Sequence, residues 1–113
     1  LMIVYFNPLC EVCQKEIKEI VSNIDYFKDI QLVLISPNSK DEIAEFMNTY
    51  KLNNYSQITV LHDMNDIFYK EFNAIGYPSL YLYDEQKMLL EHFDSQADIR
   101  EIKGAFGTTT AKK

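Results

Sequence analysis

The feature that most constrains this chain is a pair of cysteines, Cys10 and Cys13, which follow an uninterrupted apolar run at residues 1–6. A continuous apolar run of this length is typical of a strand that is buried on both faces. After a break at Asn7 and Pro8, apolar residues recur at helical spacing: Ile17, Ile20, Val21, Ile24 and Phe27. The pattern therefore places the two cysteines where a buried strand turns into a helix.

This placement predicts redox chemistry. The first turn of a helix has unpaired backbone N–H groups and the positive end of the helix dipole, and both stabilise a thiolate. We expect Cys10 to be the exposed nucleophile and Cys13, one turn further on, to be the more buried thiol that resolves a mixed disulfide. The negative charge of Glu11 disfavours the thiolate and so favours the oxidised pair, which predicts a reducing couple.

Two other readings of the cysteine pair stay open at this point. A lone C-x-x-C pattern also occurs in metal sites and in buried cysteines without chemistry. A zinc site needs four ligands, and the histidines available, His62 and His92, lie far from the pair in sequence. A structural disulfide is disfavoured, because a loop of about four residues stabilises a fold less than a long loop does.

The rest of the chain alternates between strand-like and helix-like segments. Further strands are predicted at residues 30–35, 58–61, 79–83 and 88–93. A strand–helix–strand unit favours a parallel pair with a right-handed crossover, and the last two strands are spaced as a hairpin. The expected fold class is α/β, with a mixed central sheet flanked by helices.

Three helices are predicted after the one that begins at Cys10. Their expected caps are Ser39 with Glu42 in a capping box, then Asp63, and finally Asp94 or Ser95. Gly104 and Gly107 are expected to end the last helix. We therefore predict one domain over residues 1–107 and a C-terminal tail over residues 108–113.

Charge and hydropathy argue against several partners. The net charge is −6 and the lysines form no basic stripe, so nucleic-acid binding is not expected. No apolar run approaches the roughly 18 residues of a membrane span. Because the first strand begins at the first residue, we expect the chain to be a processed or excised domain of a longer one.

Two segments resemble the thioredoxin superfamily, and within it the TlpA/ResA-like branch. The pattern Cys-Glu-x-Cys-x-Lys-Glu, from Cys10 to Glu16, is close to the active-site segment of ResA-like proteins. Gly76-Tyr77-Pro78-Ser79, just before a predicted strand, resembles the cis-proline loop of the superfamily. The order of elements over residues 58–85 is also similar to that branch, and the resemblance covers about residues 2–106.

The resemblance implies a thioredoxin-like fold and a thiol–disulfide oxidoreductase without a cofactor, most naturally a reductase. Cys10 would attack and Cys13 would resolve, while Glu16 would be the active-site acid that assists proton transfer. Pro78 would be cis, and the main chain of Tyr77 would pair with the substrate. The implied partners are protein thiols and disulfides and a redox partner protein, in an extracytoplasmic compartment such as the bacterial periplasm or cell envelope.

Alternatives remain beside this interpretation. The absence of tryptophan and of a strand before residue 1 allows a non-catalytic adaptor that binds a partner through Tyr77 and Pro78. Copper handling by the two cysteines with His62 is a second alternative, although copper-binding relatives space their cysteines C-x-x-x-C. Separately from these, Glu16 has the alternative of an ordinary solvated helix carboxylate, and Pro78 that of a trans proline that ends a helix.

Overall fold

The computed structural model describes residues 1–74 and 76–111, and for residues 108–111 it describes the backbone alone. Within these residues one sheet has the strand order β3-β2-β1-β4-β5. The strands are β1 (Met2–Tyr5), β2 (Leu32–Ser36), β3 (Ile58–His62), β4 (Ser79–Tyr83) and β5 (Leu89–Phe93). Strands β1, β2 and β3 are parallel to one another, β4 is antiparallel to β1, and β5 is antiparallel to β4. The predicted mixed central sheet is confirmed.

Four α-helices connect and cover these strands within the described residues, together with short 3-10 turns at Leu52–Asn54 and Met64–Asp66. The α-helices are α1 (Glu11–Ser22), α2 (Lys40–Thr49), α3 (Ile67–Phe72) and α4 (Ile99–Ala111). The predicted capping box of α2 is present, since the Ser39 and Glu42 side chains each accept the other residue's backbone N–H. No helix in the described part of the chain is both long and apolar enough to cross a membrane.

The structure corrects both ends of the last helix. It begins at Ile99 rather than beside Asp94 or Ser95, because the Asp98 carboxylate accepts the Arg100 N–H at 2.8 Å and so caps the first turn. It also continues through Gly104 and Gly107. Glycine lowers helix propensity by about 1 kcal/mol, and that cost is offset where neighbouring side chains are buried, as Ile102 and Phe106 are here.

The predicted tail at residues 108–113 is partly described. Residues 108–111 continue the backbone of α4, whereas residues 112 and 113 lie outside the described residues. The domain boundary after residue 107 stays a prediction.

Two apolar clusters pack on the sheet, in agreement with the alternation of side chains along each strand. The larger joins buried residues of β1, β2 and β4 to α1 and α4, with Cys13 as one of its members. The smaller contains Tyr5, Ile35 and Ala74, with Phe68 of α3 packed against it. Helices therefore flank the sheet, and α1 holds the cysteine pair at the end of β1.

Candidate active site

Cys10 is the N-cap residue of α1. Its backbone is extended, with φ −87° and ψ 123°, and its Sγ accepts a hydrogen bond from the Cys13 N–H at 3.4 Å. That N–H is one of the first-turn donors that have no acceptor within the helix. The predicted position of Cys10, with its sulfur facing the N-terminal amides of the helix, is confirmed.

The loop before Cys10 is held by three hydrogen bonds. The Asn7 side chain accepts the Leu9 N–H at 2.9 Å, and the Asn7 carbonyl accepts the Cys10 N–H at 3.0 Å. The Gln14 side-chain amide in α1 reaches back and donates to the Pro8 carbonyl at 2.9 Å. Because the loop is tied to itself and to α1, the orientation of Cys10 is fixed by backbone contacts and not only by its own rotamer.

The two thiols differ in environment as the sequence predicts. Cys13 is fully buried, whereas Cys10 is partly exposed, and the two sulfurs are not bonded to each other. Burial raises the pKa of Cys13 to about 12, although a backbone hydrogen bond at Asn7 opposes this effect. Cys13 is therefore a protonated thiol at neutral pH, and Cys10 is the sulfur that a substrate can reach.

Glu16 lies one turn after Cys13 and faces the protein interior. Its carboxyl is buried, with only 5% of the residue exposed, and its Oε1 accepts the Ala97 N–H at 2.9 Å. Desolvation raises the pKa of Glu16 to about 7, against the lowering effect of the Ala97 N–H. The reading of Glu16 as a solvated helix carboxylate is wrong, because the approach of the segment before α4 removes it from water.

The raised pKa of Glu16 predicts a pH-dependent stability. The folded state binds this proton more tightly than an unfolded chain, whose carboxyl has a pKa near 4.5. The free energy of unfolding that the protonated Glu16 carboxyl contributes is therefore complete below about pH 4.5, and it is lost as pH rises through about 7. We expect the free energy of unfolding of Glu16→Gln, minus that of the unsubstituted chain, to grow between pH 5 and 8 by up to about 3 kcal/mol.

Urea unfolding of both reduced proteins across this pH range measures the difference directly. The amide oxygen of the variant can still accept the Ala97 N–H, so the comparison isolates the titration of the carboxyl. A difference that stays constant with pH would show that Glu16 does not titrate in this range.

Tyr77 and Pro78 lie just before β4, and the peptide bond between them is cis, as the resemblance implies. Tyr77 is 38% exposed, and its ring stacks on the ring of Tyr5, with centroids 5.4 Å apart. Desolvation raises the pKa of Tyr77, and a hydrogen bond with Tyr5 opposes this effect. The structure thus joins Tyr77 to Tyr5, the last residue of the strand that leads into the Cys10 loop.

Tyr5 is a residue of this site that the sequence analysis missed. It was assigned only to the apolar first strand, yet its hydroxyl donates to the Asp63 carboxylate at 3.3 Å and its ring supports Tyr77. A tyrosine in a fully buried strand needs a partner for its hydroxyl, and that requirement was the available signal. The predicted cap is corrected in part: Asp66 is the N-cap residue of α3, because a 3-10 turn at Met64–Asp66 precedes the helix. The Asp63 carboxylate still accepts the N–H groups of Phe68 and Tyr69 in the first turn of α3.

The two histidines stay apart from the cysteine pair. His62 is the last residue of β3, and His92 lies in β5, where its ring stacks on Tyr81 and its Nε2 is 3.0 Å from the Asp94 carboxylate. Among residues 1–74 and 76–111, no three His, Cys, Asp or Glu side chains lie together in a way that could hold a metal ion. The copper alternative therefore gains no support from the part of the chain that the structure describes.

Comparisons with known proteins agree with this description. A family model described as the AhpC/TSA family matches residues 1–92. No curated protein matches the chain at a significant level.

The chain is similar in structure to several solved proteins. A secreted Mycobacterium tuberculosis disulfide oxidoreductase homologous to E. coli DsbE superposes with a TM-score of 0.79 at 16% identity, over 95% of this chain and 79% of that one. StoA from Bacillus subtilis gives 0.72 at 17% identity, over 92% and 79%. A reduced 2-Cys peroxiredoxin from Plasmodium vivax gives 0.74 at 16% identity, over 98% and 78%. The expected thioredoxin-like fold is confirmed.

Proposed function

Because this chain belongs to the AhpC/TSA family, we propose that it is a thiol–disulfide oxidoreductase in which Cys10 and Cys13 exchange a dithiol for a disulfide with protein substrates. The family supports thiol-based redox chemistry in general. One observation supports the finer assignment: a partly exposed sulfur at the start of α1 stands beside a fully buried thiol one turn further on. This is the arrangement that a nucleophile and its resolving thiol need.

The reaction proceeds in two exchanges. The Cys10 thiolate attacks one sulfur of a substrate disulfide, the substrate S–S bond breaks, and the other substrate sulfur leaves as a thiolate that takes up a proton. The Cys13 sulfur then loses its proton and attacks Cys10 Sγ, so that the mixed disulfide breaks and the second substrate thiol is released. Two electrons pass to the substrate, and the chain ends with a Cys10–Cys13 disulfide.

Glu16 is proposed to take the proton of Cys13 in the second exchange. The Cys13 thiol has a pKa of about 12 and does not ionise by itself at neutral pH, so its attack requires a base. The Glu16 carboxyl lies one turn away on α1, interacts electrostatically with Cys13, and has a pKa of about 7. A group with this pKa can accept a proton at neutral pH and return it to solvent.

An extended substrate segment is proposed to lie against Tyr77 and Pro78, with Cys10 facing its disulfide. Leu9 and Val12 are 66% and 39% exposed, so apolar surface lies close to Cys10 along the chain. Apolar side chains exposed around a reactive sulfur are typical of surfaces that bind other proteins.

The proposed direction is reduction of the substrate. A dithiol becomes a strong oxidant when its reduced form is stabilised, and a buried Cys13 with a pKa of about 12 gives no such stabilisation through a thiolate. We propose an extracytoplasmic location for this reaction, which the secreted M. tuberculosis relative supports. A redox partner protein would then return electrons to the pair.

The equilibrium of the pair with a thiol buffer tests this function. In glutathione or dithiothreitol buffers of defined potential, we expect one reversible two-electron transition near −270 mV or somewhat less negative. Labelling of the free thiols measures the reduced fraction at each potential. Cys13→Ser, which cannot close the disulfide, is the control and should show no such transition. The absence of a reversible transition in the unsubstituted chain would refute the redox assignment, and a potential of about −120 mV would refute the reducing direction alone.

A further inference from the structure

A shallow groove of about 160 Å³ lies between the Cys10 loop and α2. Pro8 and Leu9 form one side of it, and Leu9 is the residue directly before Cys10. Glu42, Glu45 and Tyr50 are among the residues of the opposite side. A segment bound over the Cys10 sulfur would therefore have the groove beside it.

The floor of the groove is apolar and closely packed. Phe46 of α2 is 4% exposed, and its ring packs against Phe6 and Tyr50, with centroids 5.0 Å and 4.6 Å away. Leu9, which is 66% exposed, extends this apolar surface towards Cys10. Packed rings of this kind provide a surface on which the methylene groups of a long side chain can lie.

The rim is acidic. Both charged residues that line the groove are glutamates, and no ion pair is formed by either Glu42 or Glu45 within residues 1–74 and 76–111. Glu42 is fixed in the capping box, where its Oε1 accepts the Ser39 hydroxyl at 3.1 Å. The Glu45 side chain is exposed on the next turn of α2 and is the carboxylate that a bound cation can reach.

We propose that this groove binds a lysine or arginine side chain of the protein substrate, close in sequence to the cysteine that Cys10 attacks. The inference rests on the proposed function. The aliphatic stem lies on Phe46, Tyr50 and Leu9, and the cationic head pairs with Glu45. The substrate class is thus a protein disulfide flanked by a basic residue.

The size and charge of the groove exclude other occupants. Sites for small-molecule ligands usually measure about 300–1,000 Å³, so 160 Å³ accommodates one side chain and not a free ligand of that kind. An acidic side chain would place its charge against two glutamates, and a purely apolar one would desolvate those carboxylates without a partner.

Peptide disulfides of defined sequence test the proposal. Each peptide has one cysteine, joined in a disulfide to thionitrobenzoate, and either lysine or norleucine at one position within three residues of that cysteine. Attack of Cys10 on the peptide sulfur releases the coloured thiolate, which gives the rate. At one position we expect the lysine peptide to react about fivefold faster than the norleucine peptide, the effect of one partly exposed ion pair.

Two charge reversals separate local binding from the general attraction of an acidic protein. Glu45→Lys should lower the lysine-to-norleucine ratio to about one or less, and Glu45→Gln should give an intermediate ratio. Asp25→Lys makes the same change in net charge at an exposed residue outside the groove and should keep the ratio of the unsubstituted chain.

The results distinguish the inference from the function on which it rests. The groove is not a site for a basic side chain if the lysine-to-norleucine rate ratio is near one at every position. The same conclusion follows if Asp25→Lys and Glu45→Lys lower that ratio equally. If the unsubstituted chain reacts with every peptide no faster than Cys10→Ser does, the proposed function itself is wrong and the inference falls with it.

Discussion

Replacement of Asp63 by alanine is expected to lower the free energy of unfolding by about 3 kcal/mol, because three donors lose their acceptor. Asp63 is 7% exposed, and its carboxylate accepts the N–H groups of Phe68 at 2.8 Å and Tyr69 at 3.1 Å. It also accepts the Tyr5 hydroxyl at 3.3 Å. These contacts join the start of α3 to β1, so the substitution removes the acceptor of two N–H groups in the first turn of α3 and a tie between two elements.

The size of this effect follows from the groups that remain. Loss of a helix cap costs about 1 kcal/mol, and a buried donor left without a partner costs about 1–3 kcal/mol. Burial raises the pKa of Tyr5, and the nearby Tyr77 and Asp63 raise it further, so the hydroxyl stays a donor at neutral pH and needs an acceptor. Equilibrium unfolding in guanidinium chloride gives the free-energy difference.

Two further variants show which contact matters. Asp63→Asn keeps one acceptor oxygen and is expected to cost less than alanine, while Tyr5→Phe removes one hydroxyl and should cost about 1 kcal/mol. If all three variants unfold at the same denaturant concentration as the unsubstituted chain, the Asp63 contacts do not stabilise the fold. The ring of Tyr5 also stacks on that of Tyr77. The Asp63→Ala variant therefore tests whether the contact between Asp63 and Tyr5 holds Tyr77 in place.

Much of the fold follows from local patterns in the sequence. The apolar strands, the Ser39–Glu42 capping box and the helix that starts at Cys10 each have a short-range signal, and the structure confirms them. The cysteine environments were also predictable, because an N-cap position is open to solvent and a residue one turn later faces the core.

Long-range contacts were not predictable from the sequence alone. Glu16 has the sequence context of a solvated helix carboxylate, and its burial depends on the Ala97 N–H, which lies 81 residues away. The start of α4 was misplaced for a related reason, since Asp94, Ser95 and Asp98 are all good caps and packing decides between them. The groove beside Cys10 likewise exists only because α2 packs against the loop that precedes α1.

The second large effect concerns the two cysteines. Cys10→Ser is expected to slow the reduction of a protein disulfide by at least about a thousandfold, because a serine hydroxyl is essentially un-ionised at neutral pH and is a poor nucleophile towards sulfur. Cys13→Ser should keep the first exchange and lose the second, since Cys13 is buried and does not face the substrate. The first variant should therefore be inactive, and the second should stop at a mixed disulfide.

The stability of the mixed disulfide depends on the same geometry. Cys10 is partly exposed and Cys13 is fully buried, so a substrate thiol joined to Cys10 stays within reach of Cys13. Replacement of Cys13 by the smaller, more polar serine removes the group that releases the substrate. A Glu16→Gln variant should accumulate the same species transiently, because its Cys13 lacks the proposed proton acceptor.

The most direct test of the proposed function is mass spectrometry of Cys13→Ser after reaction with a protein disulfide, with peptide mapping of the new bond. The proposed mechanism predicts one substrate molecule joined through Cys10, and no adduct with the Cys10→Ser variant under the same conditions. An adduct that forms equally well when Cys10 is absent, or no adduct with any disulfide substrate, would contradict the assignment of Cys10 as nucleophile and Cys13 as the resolving thiol.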